Sequence, residues 1–123
     1  MIELPSVDKI IRLNQKTIEA EGGSFAVINR GAIESALNPL HDPDLGFPEV
    51  VAKIMYRFIK NHPFADGNKR TAFAVMKVIL KKNNYKYLKR DKDMERMIVD
   101  VAASQKTEAD LMAFVAHNSA PIS

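Results

Sequence analysis

The chain has 123 residues, 46% of them hydrophobic, with a net charge of +3 and no cysteine. That length suits one domain with a single core, expected over residues 1–123, and the lack of cysteine excludes disulfides and thiolate metal sites. No apolar run of about eighteen residues offers a membrane span, and no basic segment followed by an apolar core reads as a secretory signal, so a cytoplasmic protein is expected.

Ser6 follows Pro5 and is placed to cap a first helix over residues 6–20, with Val7, Ile10, Ile11 and Ile18 as its apolar stripe. Glu21-Gly22-Gly23 ends it, because glycine supplies the positive φ of a helix stop. Residues 24–28 are apolar but too short to assign. Asn29 caps a brief helix through Leu37, which Asn38-Pro39 breaks. Residues 38–47 carry turn chemistry and form a loop. Pro48 and Glu49 suit the start of a third helix, in which Val51, Ile54, Met55, Phe58 and Ile59 repeat at three and four. His62 lies eleven residues past Val51, about 20° from the same azimuth at ~100° per residue. If that helix reaches His62, the imidazole points inward. Pro63 stops the helix.

A fourth helix is expected from Gly67 or Asn68 to Asn83. Ala72, Phe73, Val75, Met76, Val78, Ile79 and Leu80 make it apolar nearly all round, as suits the central helix of a domain. Tyr85 to Leu88 forms a short extended piece. Asp91 or Asp93 caps a fifth helix to about Ala103, and Thr107 with Asp110 makes a capping box for a sixth ending near Asn118. The fold class is therefore all-α, a compact bundle of about six helices around a central apolar one.

His41, His62 and His117 are not at helical ligand spacing, so no zinc site is expected. Lys77, Lys81, Lys82, Lys86, Lys89, Arg90 and Lys92 fall within sixteen residues that hold one acid, Asp91. Such a cluster suits a polyanion or an acidic partner, or simply a solvated helix face. The chemistry concentrates in His62 to Ala72. An imidazole comes first and a carboxylate follows at Asp66. Gly67, Asn68, Lys69 and Arg70 then open a helix whose free N–H groups attract anions. A base, an acid and a phosphate cradle within nine residues point to phosphoryl or nucleotidyl transfer.

This stretch resembles the Fic/Doc family, whose motif is His-x-Phe-x-(Asp/Glu)-Gly-Asn-(Gly/Lys)-Arg. It stands here as His62, Phe64, Asp66, Gly67, Asn68, Lys69 and Arg70. Gly22-Gly23, Glu34 to Leu37 and Ile59 to Phe64 are similar to the death-on-curing branch, as are the length and the order of helices. The resemblance implies a Fic-like fold and a role for each position. His62 would be the general base that takes the proton from a target hydroxyl. Asp66 would hold Mg²⁺ against the nucleotide phosphates, as a hard cation suits carboxylate oxygen. Gly67, Asn68 and Lys69 would cradle phosphate through backbone N–H groups, and Arg70 would neutralise its charge. Phe64 would anchor the loop in the core.

Where AMP-transferring members have glycine, this chain has Lys69. In the Doc branch that lysine goes with an inverted nucleotide, so that the γ-phosphate faces the acceptor. Gly67 is retained as in AMP transferases, where some Doc members have alanine. The family's second arginine is Phe73 here, and an arginine common in the branch is Ile28. Some members carry an inhibitory helix with Ser/Thr-x-x-x-Glu followed by Gly or Asn. The only near match read here is Ser104 to Glu108, followed by Ala109, and a five-residue pattern of this kind arises readily by chance. Inhibition is therefore expected in trans, from an antitoxin whose flexible tail folds on this domain. The resemblance thus implies the toxin of a toxin–antitoxin pair. It would use Mg-ATP to phosphorylate a Ser or Thr hydroxyl on a translation factor, elongation factor Tu, and so stop growth. The alternatives are AMP transfer from the same motif and a basic helical nucleic-acid-binding domain. The last rests on charge alone, because no DNA-reading motif is present, and nucleic acid is not an expected partner.

Overall fold

The computed structural model describes residues 2–38 and 44–123. Its helices are α1 (Val7–Glu21), α2 (Arg30–Leu37), α3 (Phe47–Asn61), α4 (Asn68–Lys82), α5 (Asp91–Ala102) and α6 (Glu108–His117). Two short strands, β1 (Tyr85–Tyr87) and β2 (Ser119–Pro121), pair antiparallel, with Lys86 opposite Ala120. The all-α bundle expected from the periodicity is what forms. The predicted loop over 38–47 falls mostly on residues 39–43, which lie outside the described residues, as does His41.

Local capping sets most boundaries. The Ser6 side chain accepts from the Lys9 N–H and Asn29 accepts from that of Ala32. Thr107 and Asp110 form the full capping box, and the Thr107 N–H holds the Asp110 carboxyl below its usual range. Gly22, at φ 89°, closes α1. At the end of α2, the Arg57 guanidinium donates to the carbonyls of Ser35, Ala36 and Asn38.

One expectation fails here for a physical reason. Neither Asp91 nor Asp93 caps α5. Arg90 is the cap residue, and Asp93 turns back to its guanidinium at 3.4 Å. The fourth helix shares the centre of the bundle with the third. α3 buries Val50, Val51, Ala52, Ile54, Met55, Phe58 and Ile59, while α4 buries Thr71, Ala72, Val75, Met76, Ile79 and Leu80. The two pack side by side. α2 and α6 cover α3, and α1 covers α4. Ile10, Ile33, Met94, Ile98, Leu111 and Val115 complete one continuous core. The start of α4 thus leads directly into the core.

Candidate active site

The chain leaves α3 sharply. Pro63 disfavours right-handed helical geometry at the residue before it, so the helix ends at Asn61. His62 takes left-handed angles, φ 45° and ψ 62°. A non-glycine residue there is uncommon and typical of functional turns. The inward azimuth that a longer helix would give is therefore not realised. His62 is exposed, while Pro63 and Phe64 are buried behind it.

Residues 63–65 are held on two sides. Val27 forms a bridge with Phe64, the Ile28 and Asn29 N–H groups donate to the Pro63 carbonyl, and Ala65 donates to that of Ala26. From the other side, the Asn68 amide brackets Phe64. Its oxygen accepts from the Phe64 N–H at 3.0 Å and its nitrogen donates to the Phe64 carbonyl at 2.9 Å. Sequence alone left residues 24–28 unassigned, since two backbone contacts to a distant turn leave no periodicity.

The next turn is built on α1. Asn14, fully buried, donates to the Asp66 carbonyl at 2.9 Å and to the Thr71 hydroxyl at 3.0 Å. Gly67 sits at φ 74°. A Cβ there would come within 3.2 Å of Asn14 Nδ2 and of Ile18 Cδ1. Glycine is thus required by the backbone and by the packing of α1. The Asp66 carboxylate stays exposed, with one oxygen accepting from the Ser24 N–H at 2.8 Å.

α4 then opens with no side-chain cap, and its first backbone bond runs from the Thr71 N–H to the Gly67 carbonyl. The start of α4 therefore presents uncapped N–H groups as an anion site. His62, Phe64, Asp66, Gly67, Asn68, Lys69 and Arg70 all line one open pocket of about 930 Å³. The far wall comes from Phe73, Ala74 and Lys77 of α4 and from Asp91, Glu95, Ile98 and Val99 of α5. Among the described residues no group of three His, Cys, Asp or Glu could hold a metal. Asp66 offers one carboxylate beside an anion site. That fits Mg²⁺, which is commonly held by one or two carboxylates with phosphate and water completing the shell.

A family model described as Fic/DOC family matches residues 4–80. The chain belongs to the Fic/Doc family. No curated protein matches it. Members of the family are nucleotide-dependent transferases that use ATP with Mg²⁺.

Several departures from the Fic/Doc pattern acquire a physical account. Gly67 answers to φ and to the packing of α1. Phe73, at the position of the second arginine, lies edge-on to Tyr87, with centroids 6.4 Å apart. The Lys77 ammonium stands 4.4 Å over the Phe73 ring and pairs with Asp91 at 2.9 Å. Burial, with Asp93 and Asp91 nearby, pushes the Tyr87 hydroxyl up to about 12. Ile28 is 66% exposed, so the branch's arginine position faces solvent.

Sequence reasoning missed several residues of the pocket wall, among them Thr17, Glu21, Glu95 and Val99. Glu21, the last residue of α1, pairs with Arg70 at 2.7 Å. Thr17 to Glu21, followed by Gly22, meets the inhibitory spacing in full, and that signal was available in the sequence. The near match does not sit in the pocket. Ser104 lies in a turn at φ 60°, and Glu108 pairs with Lys53 at 3.1 Å.

Proposed function

We propose that this Fic/Doc protein is a kinase of the death-on-curing type. It transfers the γ-phosphate of ATP to a Ser or Thr hydroxyl of a translation factor, with elongation factor Tu as the target. The observation that carries the reading is the pair Lys69 and Phe73 in the pocket. Lysine stands where AMP transferases keep glycine, and a ring stands where they keep a second arginine.

His62 takes the proton from the acceptor hydroxyl, whose oxygen attacks the γ-phosphorus as the bond to the β–γ bridging oxygen breaks. The open start of α4, with Lys69 and Arg70, receives the charge that gathers on the transferring oxygens. Asp66 would hold Mg²⁺, which when bound would add to the neutralisation of the phosphates. ADP leaves.

The chain itself places Glu21 on Arg70, and a partner that restrains it further is an antitoxin whose flexible tail orders on this surface. Lys81, Lys82, Lys86, Lys89 and Lys92 remain exposed, whereas Lys77 and Arg90 are drawn into ion pairs. The exposed lysines suit an acidic tail. The test is the intact mass of purified elongation factor after incubation with the protein and Mg-ATP. A phosphoryl increment that vanishes with His62→Ala supports the reading, and an adenylyl increment replaces it with AMP transfer.

A further inference from the structure

We propose that the free edge of β1, with the exposed lysines around it, is a docking site for an acidic, extended segment of a protein partner. The segment adds to the ribbon as a third strand. The inference holds whichever phosphate the pocket transfers, because no residue of the ribbon lines that pocket.

The pairing register sets which groups are free. The Leu88 N–H donates to the Asn118 carbonyl and the Ile122 N–H to that of Asn84, both at 2.7 Å. Asn84, Lys86 and Leu88 therefore turn their main-chain groups toward β2, and Tyr85 and Tyr87 turn theirs away from it. Among the described residues nothing pairs with the outward N–H and carbonyl groups of Tyr85 and Tyr87. The outer edge of β2 differs. Pro121 stands opposite Tyr85, so its outward position has no N–H to offer. A ribbon blunted by proline on one edge and open on the other accepts a further strand on the β1 side.

The side chains select the strand. Tyr85 and Tyr87 turn to the helices, with ring centroids 4.6 Å from Phe47 and 6.4 Å from Phe73. Lys86 points the other way and is exposed. Leu88 and Ile122 share its face, 54% and 52% exposed. Lys81, Lys82 and Lys89 are exposed around it, and among the described residues none of these lysines is in an ion pair. A strand laid along the edge puts every second side chain on the Lys86 face, where carboxylates meet uncompensated positive charge. The side chains between them lie beside the tyrosine rings and suit apolar residues. A second copy of this chain is a poor occupant, since joining two β1 edges sets lysine against lysine.

The test is fluorescence anisotropy of a labelled peptide of alternating Glu and Val, titrated with the full chain. Two further peptides are N-methylated at every Glu or at every Val. Both keep the charge, and one of them loses the N–H groups that face β1. That one is expected to bind at least about fivefold more weakly, the low end for two lost hydrogen bonds, while the other keeps its affinity. Lys86→Glu and Lys82→Glu, at exposed positions and checked by thermal melt, are each expected to weaken the unmethylated peptide by at least about twofold. Arg70→Ala leaves it unchanged. No saturable binding, an equal effect of the two methylations, or loss with Arg70→Ala but with neither lysine variant overturns the site. A single-stranded oligonucleotide of equal charge that binds more tightly than the peptide, and weakens with Lys86→Glu, also overturns it and makes this a nucleic-acid surface.

Discussion

Glu21 pairs with Arg70, the arginine proposed to receive the phosphates, so nucleotide binding is expected to break that pair or to tolerate a carboxylate beside it. Glu21→Gln removes the charge and keeps the length. The N···O distance is 2.7 Å, but the side chains are 40% and 54% exposed. An exposed pair couples by ~0.2–1 kcal/mol, because water and salt screen it. Freeing Arg70 should therefore tighten Mg-ATP by about 1.4- to 5-fold, read by calorimetry at low salt. The gain should shrink as ionic strength rises, and it should disappear when Arg70→Ala is already present. A Glu21→Gln protein that binds Mg-ATP more weakly would refute the reasoning. Glu21 would then be positioning Arg70 for phosphate rather than competing for it.

Asn14→Ala leaves the Thr71 hydroxyl and the Asp66 carbonyl without their buried donor, so a loss of ~2–4 kcal/mol is expected in urea unfolding, together with reduced transfer. Asn68→Ala removes both bonds to Phe64 and should cost ~1–3 kcal/mol, with transfer falling more than ATP affinity because the His62 turn loosens. The folded pKa of Tyr87 lies above its ordinary 10, so the stability it contributes is complete below pH 10 and is lost as pH rises toward about 12. An ultraviolet titration should show one of the three tyrosines ionising late, and Tyr87→Phe should remove that step.

What could be read from sequence was local. Ser6, Asn29 and Thr107 cap the helices they were expected to cap, because a cap needs only residues three positions apart. The seven motif positions line one pocket because nine residues cannot spread far. What sequence hid was long-range. Ser119-Ala-Pro121 has no strand pattern and is made a strand by pairing with β1. Asn14 sits in the apolar row of α1 with Ile10 and Ile18, where periodicity offers no reason for an amide until the Asp66 turn lies against it. His62 escaped the expected inward azimuth because Pro63 ended the helix one residue early. Glu21 was missed although its spacing was visible, since its significance comes from Arg70, 49 residues away.

The central claim is that the γ-phosphate, and not AMP, leaves this pocket by way of His62. ATP labelled at either the α or the γ position, incubated with Mg²⁺, the protein and an extract containing elongation factor, tests it most directly. The account predicts protein-bound label from the γ position alone, absent with His62→Ala. Label from the α position would contradict it.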